Sequence, residues 1–280
     1  MRIQRIAAFS DGSEGGNPAG VVLADAMPPE DAMRRIAREV GYSETAFAAP
    51  LAEDASAWRV RYFAPEAEVP FCGHATIALG AALAERHGAR RFELQLNDAR
   101  VSVEGRIEGG RAGAVLRSPP TRSGAADPSL LAAALDLFGL DPRRLDERIP
   151  PARIHGGSDH LVLALRDREA LRSFAYELAE GRALMLGHGL VTIMLVWSEG
   201  PALFHARNAF ASGGVLEDPA TGAAAAAFAG HLRDLGWPHG GAFRVVQGED
   251  MGSRSLIDVR LTDEPGAPVE VAGATRRLVP

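Results

Sequence analysis

Hydrophobic and polar positions alternate in several segments of the first half of the chain, and this pattern predicts β-strands. The segments "RIQRIAAFS", "AGVVLAD", "ETAFAAPL" and "WRVRYFAP" show it first, and "RFELQLN", "RVSVEGRI" and "RAGAVLRS" follow. Between them, "PPEDAMRRIAREVG" (28–41) repeats apolar residues every three or four positions, which predicts an amphipathic helix ending at Gly41. The buried stripe of that helix is predicted to be Met33, Ile36, Ala37 and Val40.

Two segments are rich in alanine and have no polar face. The first begins near Gly73 and reads "HATIALGAALAERHG", and the second is "EDPATGAAAAAFAGHL" (217–232). A helix that is enclosed on most sides has little room for large side chains, so small residues fit such a position. Both segments are therefore predicted to be central helices.

The second half repeats the order of the first half. After a linker at 118–129, Asp127 is predicted to cap a short helix. Strands around "ARIHGG" and "DHLVLALRD" come next, then one helix from "DREALRSFAYELAEG", and then strands "GLVTIMLVWS" and "ALFHARNAF". The alanine-rich helix and the strands "AFRVVQGE", "RSLIDVRL" and "PVEVAGATRR" close the half. In both halves Phe-Ala ends a strand, and Ala-Thr opens the alanine-rich helix after a loop of similar length.

Such a duplication is a strong indication of fold, because both order and motif agree. We expect an α/β (α+β) protein of two pseudo-symmetric domains, each with a mostly antiparallel sheet wrapped around a central helix. The domains are predicted at 1–118 and 119–280, and two placements of the last strand are compatible with the pattern: in the second domain or back in the first.

Composition narrows the function. The chain has 280 residues and a net charge of −6 with scattered arginines, which argues against nucleic-acid binding. It has no lysine, which excludes a Schiff base and a P-loop. With Cys72 as its single cysteine, an intramolecular disulfide is impossible and a cysteine-based zinc site is disfavoured. No signal peptide or membrane span is predicted, so we expect a cytoplasmic protein without a membrane partner.

Three side chains are candidates for acid/base chemistry. His74 and Asp218 lie at the starts of the two alanine-rich helices, where free N–H groups and the helix dipole favour a bound carboxylate. Asp218 precedes Pro219, which predicts an N-cap, and a cap is also its simplest structural role. Glu44 interrupts an apolar strand in "YSETAF". Each residue has a structural alternative: an outward-facing Glu44, a buried structural His74, or a plain cap at Asp218.

Five motifs together resemble the PhzF family of phenazine-biosynthesis-like isomerases. They are "GNPAGVVL" (16–23), "SETAF" (43–47), "FCGHAT" (71–76), "EDPATGAAA" (217–225) and "QGEDMGSRS" (247–255), in family order. The resemblance implies the diaminopimelate-epimerase fold, an active site between the two domains, and a homodimer. It also implies cofactor-independent proton transfer at carbon of a small carboxylate substrate, without a metal.

Carried over motif by motif, the resemblance implies that Glu44 is the main general acid/base and that His74 and Asp218 flank the substrate. Ala223 stands where the family motif usually has serine. The implied substrate-binding residues are Asn17, Gly73, Ala75, Thr76, Thr221, Gly222 and Ala223.

Two other functions fit the same sequence. The first is a racemase or dehydratase that uses a single thiol, Cys72, although a free cysteine more commonly serves only as a small buried residue. The second is a binding module for a small molecule or a protein that kept the cleft and lost catalysis. Metal-dependent hydrolysis and nucleotide binding are disfavoured, because neither a compact histidine motif nor a phosphate-binding loop is present.

Overall fold

The computed structural model describes residues 2–51 and 53–279. Its contacts divide the chain into two compact units. Unit 1 comprises Met1–Arg117 and Ala272–Pro280, and unit 2 comprises Ser118–Val271. Within the described ranges, the α-helices are α1 (Glu30–Val40), α2 (Gly73–His87), α3 (Pro128–Leu137), α4 (Arg168–Arg172), α5 (Leu178–Gly187) and α6 (Gly222–Asp234).

The strands of unit 1 form a closed ring. They are β1 (Ile3–Ala8), β2 (Asn17–Leu23), β3 (Thr45–Pro50), β4 (Ala57–Phe63), β5 (Glu68–Val69), β6 (Arg90–Gln95), β7 (Arg100–Glu108) and β8 (Arg111–Arg117). A later strand, which we call β17 (Glu270–Arg277), pairs with both β1 and β8 and closes the ring. The pairs β2–β3 and β4–β6 are parallel. The antiparallel pairs are β1–β17, β1–β2, β3–β4, β6–β7 and β7–β8.

Helix α2 is enclosed by this ring, and every residue from 74 to 84 is buried. The enclosure requires small residues where helix and sheet approach most closely. A Cβ at Gly80 would lie 2.6 Å from Val103 Cγ2, and one at Gly105 would lie 2.5 Å from the Gly80 carbonyl oxygen. The alanines and glycine of this helix therefore set its distance from β7.

Unit 2 repeats the strand order and the pairing pattern. Its strands are β9 (Arg122–Ala125), β10 (Ala152–His155), β11 (Asp159–Leu165), β12 (Thr192–Gly200), β13 (Leu203–Ala209), β14 (Glu217–Asp218), β15 (Ala242–Gln247) and β16 (Ser255–Arg260). The pairs β11–β12 and β13–β15 are parallel, as β2–β3 and β4–β6 are in unit 1, and the neighbouring pairs are antiparallel.

Helix α6 occupies the place that α2 has in unit 1. Its residues from 224 to 233 are buried, and it packs on β9, β10, β11 and β16. The close approaches again fall on glycines. A Cβ at Gly230 would lie 2.5 Å from Thr121 Oγ1, and one at Gly156 would lie 2.8 Å from the Ala227 nitrogen. The predicted α+β class, with mostly antiparallel sheets around alanine-rich helices, is confirmed.

Two local predictions are wrong. The linker at 118–129 contains a strand, β9, which pairs antiparallel with β10. The helix expected from "DREALRSFAYELAEG" is two helices, α4 and α5. Phe174 and Tyr176 both pack on Phe138, with ring centroids 5.4 Å away in each case. Residues two apart do not share a helix face, so a continuous helix cannot bring both rings to Phe138.

No described helix combines the length and the apolar character that crossing a bilayer requires.

Candidate active site

Glu44, Cys72 and His74 come together in unit 1 at the N-terminus of α2. Glu44 directly precedes β3, and its carbonyl oxygen accepts a hydrogen bond of 3.1 Å from the Gly20 N–H of β2. Cys72 is the N-cap residue of α2 in extended conformation, and His74 is the second helical residue. The parallel pairing of β2 with β3 thus fixes Glu44, and the start of the helix fixes the other two side chains.

The three side chains contact one another directly. Glu44 Oε2 lies 3.4 Å from His74 Nε2 and 3.5 Å from Cys72 Sγ. Cys72 Sγ lies 3.4 Å from His74 Nδ1, and Ser43 Oγ lies 3.4 Å from His74 Nε2. The contacts between nitrogen and oxygen are longer than a well-formed hydrogen bond, as is common for catalytic groups before the substrate binds.

The surroundings of this group favour proton transfer. The Glu44 side chain is 14% exposed and the His74 side chain 8%, so both are largely removed from water. The first N–H groups of α2 have no partner within the helix, and they carry the positive end of its dipole. An anion formed on a bound substrate would be stabilised by these donors.

Tyr62 and Thr76 support the N-terminus of α2 from the interior. Thr76 Oγ1 donates to the Cys72 carbonyl oxygen at 2.7 Å, so the contact of 2.7 Å with the Tyr62 hydroxyl has Tyr62 as donor. Tyr62 is fully buried, and burial raises the pKa of its hydroxyl well above the ordinary value. Thr76 is itself buried, and its hydroxyl holds the backbone of Cys72 in place.

Asp218 lies in unit 2, and its predicted position as N-cap of α6 is wrong. It belongs to β14, where it pairs with Asn208, and the N-cap residue is Thr221. The Thr221 backbone N–H, which would be the N3 group for a cap at Asp218, donates instead to Gln247 Oε1 of β15 at 3.1 Å. The Asp218 carboxylate accepts from Thr221 Oγ1 at 2.5 Å.

The other predicted residues lie close to these two helix starts. Gly73 and Gly222 are the first residues of α2 and α6, and Ala75 and Ala223 follow within the first turn. Asn17 is the buried first residue of β2. Their contacts with a substrate stay predictions.

The two units carry different groups at equivalent positions. The N-cap residues of α2 and α6 correspond, and so do the second residues of the two helices. In the strands, Thr45 lies opposite Phe63 and Ile193 lies opposite Ala209, so the residues just before Thr45 and Ile193 correspond as well. The equivalent pairs are Cys72 and Thr221, His74 and Ala223, and Glu44 and Thr192. The predicted match of the two Ala-Thr pairs is wrong, because Thr76 lies inside α2 whereas Thr221 precedes α6. The acid, thiol and imidazole therefore belong to unit 1 alone.

Sequence reasoning did not single out several residues of these surroundings. Ser43 lies in the motif "SETAF" and Gln247 in the motif "QGEDMGSRS", so membership of these motifs is the sequence signal that could have identified them. Tyr62, Thr192 and Asn208 lie in ordinary strands, and nothing in their local pattern marks them.

Glu44, Cys72 and His74 also have side-chain atoms that could bind a metal ion, and they are the cluster of this kind in the described part of the chain. One oxygen, one sulfur and one nitrogen all lie within 4.8 Å of one another. These are ligand types that zinc accepts, so the absence of a metal stays a prediction that needs measurement.

The fold is of the epimerase-like class. The family described as "Phenazine biosynthesis-like protein" matches residues 6–277, and the chain belongs to this family. An uncharacterised isomerase of Mesorhizobium japonicum is 33% identical over 266 residues, covering 90% of this chain and 87% of the relative. The trans-2,3-dihydro-3-hydroxyanthranilate isomerase of Pseudomonas fluorescens is 29% identical over 275 residues, covering 96% and 94%.

A solved structure of the same family agrees in fold. The PhzF-family phenazine biosynthesis protein of Bacillus anthracis superimposes with a TM-score of 0.84 at 22% identity, covering 100% of this chain and 98% of that one. The chain is thus an enzyme of the isomerase class with an epimerase-like fold.

Proposed function

We propose that this chain moves a proton at carbon of a small carboxylate substrate, without a cofactor, with Glu44 as general acid/base. The observation that carries the proposal is the position of Glu44 Oε2, 3.4 Å from His74 Nε2 at the N-terminus of an enclosed helix. A carboxylate that takes a proton from carbon must be held close and partly desolvated, and Glu44 meets both conditions.

In the proposed mechanism, the Glu44 carboxylate abstracts the proton, and the negative charge develops on the substrate. The N–H groups of Gly73 and His74 at the start of α2 stabilise this charge. Protonated Glu44 then returns the proton to another carbon, or passes it to His74, which returns it in its place. By the resemblance, Asp218 also flanks the substrate and binds an amine of it.

The test is exchange of deuterium from D₂O into carbon positions, followed by NMR over a panel of cyclic and amino carboxylic acids. The panel includes trans-2,3-dihydro-3-hydroxyanthranilate, because a relative is named for its isomerisation. We expect exchange into at least one acid, and addition of a chelator should leave the rate unchanged. A folded protein that exchanges no acid would favour the binding-module alternative.

The Glu44→Gln variant tests the base assignment. We expect its exchange rate to fall by at least about 10²-fold, since a positioned acid/base group contributes 10²–10⁴-fold. Glu93→Gln is the matched control, because Glu93 is an exposed glutamate whose partner is Arg91. Undiminished exchange by the Glu44 variant would show that another group is the base.

A thiol mechanism is the second candidate, and the position of Cys72 favours it. Its Sγ lies 3.5 Å from Glu44 Oε2 and 3.4 Å from His74 Nδ1, where a thiolate could take the substrate proton. Alkylation would not separate the two mechanisms, because a label on Sγ would lie against both neighbours. Substitution does separate them.

We expect Cys72→Ser and Cys72→Ala to keep exchange within about tenfold of the wild type if Glu44 is the base. A loss of about 10³-fold or more in both variants, with the fold intact by circular dichroism, would assign the base to the thiol. The size of that loss follows from the weak basicity of a hydroxyl and the absence of any base in alanine.

A further inference from the structure

A chain of hydrogen-bonded polar side chains runs through unit 2 and ends at Asp218, and all of its members except the half-buried Ser158 are buried. The residues come from five strands, β11 to β15, and the segments beside them, and none belongs to the group around Glu44. The members are Ser158, His160, Thr192, Asn208, Gln247, Thr221 and Asp218, with contacts of 3.1, 2.8, 3.1, 3.1, 3.0 and 2.5 Å between successive members. Buried polar atoms need partners, so the chain has to be consistent at every link.

The orientation of Gln247 is fixed by two backbone groups. Its Oε1 accepts from the Thr221 N–H at 3.1 Å, and its Nε2 donates to the Asp218 carbonyl oxygen at 2.7 Å. A flipped amide would place its NH₂ group against the Thr221 N–H and its oxygen against the Asp218 carbonyl oxygen, so donor would face donor and acceptor would face acceptor. Gly248 allows the backbone next to Gln247 to approach Pro219 closely, because the φ of Gly248 is +72° and a Cβ there would lie 2.7 Å from the Pro219 carbonyl oxygen. The "QG" of the motif therefore positions a hydrogen-bonding side chain beneath Asp218.

This orientation determines the links towards His160. Asn208 donates from Nδ2 to Gln247 Oε1, so its Oδ1 faces Thr192 and accepts the Thr192 hydroxyl hydrogen. The Thr192 oxygen is then left to accept from His160 Nδ1–H. Burial is the main cause that lowers the pKa of His160 to about 3, so the ring is neutral and Nε2 accepts from Ser158 Oγ.

The same orientation determines the links towards Asp218. Gln247 Nε2 donates to Thr221 Oγ1 at 3.0 Å, so the Thr221 hydroxyl hydrogen is directed to Asp218 Oδ2. Every donor from Ser158 to Thr221 thus points the same way along the chain. A carboxylate at the receiving end accepts and does not donate, which favours its ionised form.

We propose that Gln247 and the residues linked to it are a positioning network that holds Asp218 ionised and in one orientation. Thr192 has the position in unit 2 that Glu44 has in unit 1, so unit 2 has this network where unit 1 has its proposed base. The catalytic consequence depends on the proposed function, whereas the network itself does not.

The tautomer of His160 tests the network without any substrate. In ¹⁵N NMR of the labelled full chain, with His160→Gln used for assignment, we expect the neutral Nδ1–H tautomer. Gln247→Met frees the Asn208 amide, and the His160 signal should become a mixture of tautomers. Gln247→Glu keeps an acceptor for Asn208 and should keep the wild-type tautomer, and it serves if the Met variant does not fold. An Nε2–H tautomer in the wild type, or an unmixed tautomer in Gln247→Met, would overturn the proposal.

The state of Asp218 is measured by ¹³C NMR titration of its carboxyl carbon. Thr221→Val removes the donor to Oδ2, and the pKa of Asp218 should rise by about one pH unit. Thr275→Val is the matched control, because it removes a buried threonine hydroxyl that donates to the Ala112 carbonyl oxygen in unit 1. An equal pKa in both variants would overturn the role of the network at Asp218.

Activity separates this proposal from the proposed function. If Asp218 acts as an ionised group in exchange, the acidic limb of the pH–rate profile of Thr221→Val moves up with the measured pKa, which supports both. If the pKa moves and the profile does not, the network is supported and the catalytic role of Asp218 is wrong.

Discussion

At the scale of single residues, Arg207 and Glu217 hold the strand end that carries Asp218. Arg207 donates from Nε and Nη2 to the two carboxylate oxygens of Glu217 at 3.0 and 2.6 Å. Its guanidinium also lies 4.0 Å from the ring centroid of Phe174. The side chains are 14% and 7% exposed. The pair has a counterpart in Arg61 and Glu68 of unit 1, where the arginine lowers the pKa of the glutamate.

Glu217→Gln should destabilise the protein by about 3 kcal/mol, because removing one partner of a buried ion pair leaves the other charge without compensation. The measurement is urea-induced unfolding at neutral pH. Glu93→Gln should change the free energy of unfolding by less than about 1 kcal/mol, since its pair with Arg91 is exposed. Equal effects of the two substitutions would contradict the structural role assigned to the buried pair.

At the scale of elements, the enclosed helix α2 depends on how closely it approaches β7. Gly80 and Gly105 face each other so closely that neither tolerates a Cβ without movement. At Gly80 the nearest atoms are the Val103 side chain and the Ala114 Cβ, at 2.6 and 2.8 Å. The helix also carries Cys72 and His74 at its start. A change in this contact would therefore shift the candidate site as well as the core.

Gly80→Ala should cost about 1–3 kcal/mol in unfolding free energy, which is the usual effect of overpacking a well-filled core. It should also reduce deuterium exchange, because α2 has to move. Gly187→Ala is the control: it lies at the end of α5, and a Cβ there meets nothing within 4 Å. The control should be neutral or slightly stabilising, since alanine is the better helix former. A neutral Gly80→Ala would show that the helix adapts freely.

The elements predicted best from the sequence are those with a local physical signal. Helix α1 has its predicted buried stripe and ends at Gly41, whose φ is +70°. Asp127 caps α3 by accepting from the N–H groups of Ser129 and Leu130, as predicted. Strand β9 was missed because "RSGA" has no alternating pattern and is defined by pairing with β10. The break between α4 and α5 depends on a distant ring, Phe138, which no local pattern reveals.

At the scale of the whole molecule, the two units share one order of elements and differ in their chemistry. The motif resemblance indicates Glu44, His74 and Asp218, and the structure brings the first two into contact with each other and with Cys72. The network below Asp218 was beyond reach of the sequence, because its members are far apart along the chain and each is ordinary in its own strand. The homodimer and the cytoplasmic location stay predictions.

The stability of the whole molecule should depend on pH through His160. Burial lowers the pKa of its ring to about 3 in the folded protein, against an ordinary value of 6.5. Between these values the unfolded chain binds a proton that the folded chain does not, so stability falls as pH falls. The loss from this group is about 1.4 kcal/mol for each pH unit below 6.5.

Urea unfolding of the wild type and of His160→Gln at pH 7.5, 5.5 and 4.5 isolates this contribution. Burial also lowers the pKa of His87 and His231, and both residues are present in the two proteins, so their effects cancel in the difference. We expect the stability advantage of the wild type to shrink by about 2–3 kcal/mol between pH 7.5 and 4.5. Parallel pH profiles of the two proteins would mean that the pKa of His160 is the same in the folded and unfolded states, and the neutral ring with Nε2 accepting from Ser158 would then be wrong.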